Sequence, residues 1–127
     1  MLWLAAAAFQ ALPAQAATTN LLVPAGDDWK YLDNGSNQGT AWRMPGFDDS
    51  SWPKGFAQLG YGETDEKTYL GFGPDPNNRY LTYYFRNRFS VSGAAAYASL
   101  TLSVLRDDGV VVYINGTEVL QPAGDRR

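Results

Sequence analysis

Neither cysteine nor histidine occurs anywhere in the chain. Those two absences remove much of the chemistry open to an enzyme. Without an imidazole or a thiol there is no Ser-His-Asp or Cys-His nucleophile. A zinc centre of thiolate and imidazole ligands is excluded as well, whereas calcium, which takes oxygen ligands, is not. Basic residues are few and scattered, 10 against 13 acidic ones, so the formal net charge is −3. That leaves no footprint for nucleic acid. A bilayer-length apolar run is also missing: Leu2 to Leu12 is too short to span a membrane and has no stop-transfer flank.

What is present points to one small exported domain. The chain has 127 residues, 14% of them aromatic, with 13 glycines and 7 prolines. One domain of all-β class, rich in turns, fits that length and composition. Leu2 to Leu12 is followed by Pro13 and by Ala14-Gln15-Ala16, a small-x-small cleavage pattern. Residues 1–16 therefore read as a secretory signal peptide, although no Lys or Arg precedes its apolar run. Residues 17–127 read as the secreted part, extracellular or periplasmic.

The segment that organises the rest is Ala98 to Leu120, with turn dipeptides Asp108-Gly109 and Asn115-Gly116 between apolar runs. Asn-Gly and Asp-Gly accept the positive φ angles of a tight hairpin turn. Leu100, Leu102 and Val104 alternate with Ser99, Thr101 and Ser103, and Val110 to Ile114 is apolar on both faces. The pattern predicts three antiparallel strands in series with the middle one covered.

Upstream, Leu21 to Pro24 reads as a short edge strand and Asp27-Asp28 as a turn. Trp29 to Leu32, Ala57 to Tyr61 and the long run Tyr80 to Val91 read as strands. In the last of these, Leu81, Tyr83, Phe85, Phe89 and Val91 point one way; Tyr80, Thr82, Tyr84, Arg86 and Arg88 point the other. In Phe47-Asp48-Asp49-Ser50-Ser51-Trp52 a polar turn bonds its own amides while its two end aromatics plug the core. Glu63 to Asn78 is a long Gly-, Pro- and Asp-rich loop, of a length that is usually functional or mobile. No strand signal follows Leu120, and a meander this apolar needs strands beside and across from it. The domain thus reads as a C-terminally incomplete fragment.

Several segments in this order resemble the galactose-binding-like jelly-roll domains, antiparallel β-sandwiches attached to secreted bacterial hydrolases. They are Trp29-Lys30-Tyr31-Leu32-Asp33-Asn34-Gly35, Phe47 to Trp52, Leu59-Gly60-Tyr61-Gly62, Thr82 to Arg86, Arg106 to Gly109, and Tyr113 to Val119. The nearest likeness is to the domains accompanying calcineurin-like metallophosphoesterases. A more distant one is to the sugar-binding domain of family 2 glycosidases. The resemblance implies a non-catalytic accessory module that binds carbohydrate or docks onto a covalently linked catalytic domain. A structural or interaction domain without a ligand is the alternative. A catalytic domain built on paired carboxylates, such as Asp107 with Glu118, would need a cleft that nothing in the sequence indicates.

Three constellations are candidate sites. Asp107 and Asp108, with Arg86 and Arg88 on the long strand, can grip sugar hydroxyls or a cation; in the structural reading Asp108 serves its turn and Arg86 pairs with a carboxylate. Glu63, Asp65, Glu66 and Asp75 place oxygen ligands on a Gly-rich loop and would allow a structural calcium, the one cofactor in view. Their spacing matches no EF-hand. Among the rings Trp29, Trp42, Trp52, Tyr61, Tyr80 and Tyr84, most must fill the core, leaving Tyr80 and Tyr84 as the expected exposed platforms. Two glycosylation sequons, Asn34-Gly35-Ser36 and Asn115-Gly116-Thr117, are equally explained by their Asn-Gly turns.

Overall fold

A computed structural model of the protein describes residues 18–107 and 109–121. The proposed signal peptide, Ala17, Asp108 and residues 122–127 lie outside them. The fold is all-β. The described residues form seven short strands and two single-turn 3₁₀ segments, with no α-helix. None of their helices is long and apolar enough to cross a membrane.

Strands β1 (Asp28–Leu32), β2 (Lys54–Phe56) and β5 (Tyr84–Arg86) make a three-stranded antiparallel sheet in the order β2-β1-β5. Trp29 faces Gly55 and Tyr31 faces Phe85 across it. Strands β3 (Leu59–Gly60) and β4 (Thr68–Tyr69) pair in parallel, and Thr68 covers Gly55, where a Cβ would come within 2.5 Å of its hydroxyl oxygen. Strands β6 (Val112–Ile114) and β7 (Thr117–Leu120) form an antiparallel hairpin. Its two-residue turn is Asn115-Gly116, at φ 50° and 84°, the paired positive angles that a hairpin of this length takes.

The core lies between the β1/β5 face and the Phe47–Trp52 turn, where Trp52 (5% exposed) and Tyr84 are buried; Leu70, just after β4, is buried too. Trp42, in the first 3₁₀ segment (Ala41–Arg43), joins the hairpin to this core. Its ring stands edge-on to Tyr84 at 5.0 Å and to Tyr113 at 5.7 Å. Such edge contacts add roughly 0.5–1.5 kcal/mol beyond the area they bury.

Several expectations need correction. The first strand of the C-terminal meander does not pair with anything among the described residues, and the second is confined to Val112–Ile114. Alternation of apolar residues selects a face, but a strand also needs a neighbour for its amides and carbonyls. Leu100, Leu102, Val104 and Leu105 are accordingly exposed, Leu105 by 83%. Leu21 to Pro24 forms no strand, and Asp28 belongs to β1 rather than to a turn. The long strand shrinks to Tyr84–Arg86 with its faces exchanged: Tyr84 and Arg86 turn inward, while Phe85 and Phe89 are exposed. Tyr and Arg each carry an apolar body behind a polar tip, so a strand holding both is ambiguous about which side is inside.

Candidate ligand-binding site

Of the six residues proposed for ligand binding, Tyr84, Arg86 and Arg88 are engaged within the fold itself, and Asp108 lies outside the described residues. Tyr84 is buried rather than an exposed platform, and its hydroxyl accepts from the Gln38 amide at 3.2 Å. Arg86 is half-buried beside it, with little of its side chain exposed. Its Nε donates to Asp49 Oδ2 at 2.7 Å, and its Nη1 donates to the carbonyls of Trp42 and Met44. Arg88 lies at the rim, donating to the Phe47 carbonyl at 3.1 Å and to Asp49 at 3.4 Å. Both arginines thus serve the Phe47–Trp52 turn; Asp107 is exposed.

In that turn Asp48 behaves as expected, accepting from the Ser50 amide at 3.0 Å. The same amide holds its carboxyl below the ordinary value. Asp49 departs from expectation by pointing inward. The Arg86 hydrogen bond depresses its pKa, against burial, with Arg88 and Lys30 adding attraction. Asp49 supplies the counter-charge for Arg86, one member of a cationic row across the sheet. Lys30 stands opposite both Lys54 and Arg86 in the sheet register, a placement that costs stability unless each charge finds a partner. Lys30 donates to the Trp52 carbonyl at 2.7 Å, and Lys54 pairs with Asp28.

The acidic loop is likewise occupied with local work. Glu66 is buried and its Oε1 accepts from the Glu63 amide at 2.6 Å; Asp75 Oδ1 accepts from the Asn77 amide at 2.8 Å. Glu63 and Asp65 are exposed. Among the described residues no three carboxylates gather as a metal site would require.

Rings do converge elsewhere, on the loops that follow β1, β3 and β4. Tyr61 packs against Phe72 at 5.4 Å between centroids and against Tyr83 at 6.0 Å. The Arg79 guanidinium lies over Tyr61 at 5.2 Å and over Phe72 at 5.5 Å. Phe72 is 37% exposed and Arg79 is exposed, so the group faces water. Asp33 braces the floor by accepting from the Gly71 amide at 2.6 Å. Burial, then the neighbouring Tyr61 and the Asp33 carboxylate, push the Tyr83 phenol well above its ordinary value, so it stays neutral at physiological pH. Tyr80, the one predicted platform that lies here, is clamped between Gly35 and Gly73. A Cβ on Gly35 would approach its ring to 2.4 Å.

Comparison with family models, with curated proteins and with solved structures found no match. Function must therefore be read from the surface itself. Sequence reasoning had Tyr61 among the candidate rings but missed Phe72 and Arg79. The available signal was an aromatic between two glycines, Gly71-Phe72-Gly73, in a loop already too long to be a mere connection.

Proposed function

We propose that the chain is a secreted, non-catalytic β-sandwich accessory module of galactose-binding-like jelly-roll type. It binds carbohydrate, or docks onto the catalytic domain of a larger exported hydrolase such as a metallophosphoesterase. The observation that favours the carbohydrate half is the half-exposed set Tyr61, Phe72 and Tyr83 with Arg79 at its edge. Sugar rings present C–H faces that stack on aromatic rings, while their hydroxyls take hydrogen bonds from polar groups at the margin. Export rests on the Ala14-Gln15-Ala16 pattern in the sequence. Isothermal titration of the chain against a panel of neutral and acidic oligosaccharides tests the reading. Saturable heat that Tyr61→Ala removes supports it, and no heat with any member rejects carbohydrate binding.

A second reading, an interaction domain without a small ligand, has its own observation. Val91, Tyr97, Leu100, Leu102, Val104 and Leu105 are all exposed, more apolar surface in one segment than an isolated domain ordinarily leaves wet. Sedimentation that shows self-association, together with silent glycan titrations, would favour this alternative.

A further inference from the structure

The proposed carbohydrate site contains a cation whose setting narrows the class of sugar, and the inference rests on that proposed reading. An exposed arginine ordinarily surrenders rotamer entropy when it binds. Arg79 has surrendered part of it already. Its Nε donates to the Pro76 carbonyl at 3.0 Å, and the guanidinium lies over Tyr61 at 5.2 Å and over Phe72 at 5.5 Å. The two terminal nitrogens make no hydrogen bond or ion pair among the described residues. Among the described residues no carboxylate pairs with Arg79; Asp33 accepts from the Gly71 amide and Asp75 from the Asn77 amide. A planar fork of N–H donors, held against two rings and left without a carboxylate, matches a carboxylate from outside in bidentate geometry.

We propose that Arg79 is the selecting residue of this surface and that its ligand is a carboxylate-bearing saccharide of the uronic acid class. The sugar ring rests beside the guanidinium on the exposed part of Phe72, while its carboxylate takes the two terminal nitrogens. No covalent step is involved.

The test is calorimetric titration of the whole chain with a galacturonic acid trimer and with the neutral galactose trimer of the same linkage. A sulfated galactose trimer serves as a third arm. A charge-assisted hydrogen bond contributes roughly 1.5–3 kcal/mol, so the acidic trimer is expected to bind about tenfold tighter or more. That preference should shrink as salt rises. Arg79→Ala should abolish the preference, bringing the ratio of acidic to neutral affinity to about one. Arg79→Lys keeps the charge but not the fork, and should lose most of it. Near-ultraviolet circular dichroism confirms that each variant is folded. Equal affinity for the acidic and neutral trimers overturns the inference and leaves carbohydrate binding standing. Tighter binding of the sulfated trimer, or an unchanged preference in Arg79→Ala, also overturns it. Silence with all three trimers overturns both.

Discussion

Arg86 Nε and Asp49 Oδ2 meet at 2.7 Å, with side chains only 9% and 12% exposed. Asp49 belongs to the Phe47–Trp52 turn and Arg86 to β5, so this ion pair fastens the turn onto the sheet. The same guanidinium holds the carbonyls of Trp42 and Met44 and lies over the Phe47 ring at 5.2 Å. One side chain thereby ties three separate stretches of chain together.

Breaking this pair from one side should be severe. Asp49→Asn leaves a buried guanidinium without its counter-charge, a change that typically costs about 3–5 kcal/mol. Urea denaturation should show that loss. The double variant Asp49→Asn with Arg86→Met should be less destabilised than the two single changes added together.

Acid should weaken the fold through the same group. Asp49 has a depressed pKa in the folded protein, so its contribution is fully present above the ordinary carboxylate value of about 3.9. It is lost as pH falls from there through the lower folded value, because the unfolded chain takes up its proton first. Denaturation midpoints between pH 6 and pH 2 should fall more steeply for the wild type than for Asp49→Asn.

Removing the plug should also be costly. Trp52 is 5% exposed, stands edge-on to Phe47 at 5.6 Å and packs on Tyr84 at 6.2 Å. Trp52→Ala should lose about 3–5 kcal/mol from the transfer and cavity terms, enough to unfold a domain with so small a core. Thermal melting followed by circular dichroism checks this.

The hairpin turn offers a separable test. Gly116 sits at φ 84°, and a Cβ there would come within 2.7 Å of Met44 Sδ. Gly116→Ala therefore meets both backbone strain and a contact, and should cost more than about 1 kcal/mol. Adding Met44→Ala relieves only the contact. Partial recovery of the urea midpoint in the double variant is the expected result.

How much was legible in advance depends on how far apart the interacting residues lie. Asn115 and Gly116 carry their hairpin in two adjacent φ preferences, and Phe47 and Trp52 reach each other across one turn. Interactions of that range are written in neighbouring residues, and the β1 strand around Trp29 to Leu32 was equally readable. Asp49 shows where such reading stops. As a turn residue it looked like the twin of Asp48, yet Arg86, 37 positions away, draws it inward.

The sequence alone determined the all-β class, the missing imidazole and thiol chemistry, the Asn-Gly reversal and the aromatic pair that plugs the core. Only the tertiary structure decided that Tyr84 and Arg86 face inward, that the 98–105 run goes unpaired among the described residues, and that Arg79 lies across Tyr61 and Phe72. Turn preference and composition act within a few bonds. A charge, a strand edge or a ring face takes its role from whichever partner the folded chain brings to it.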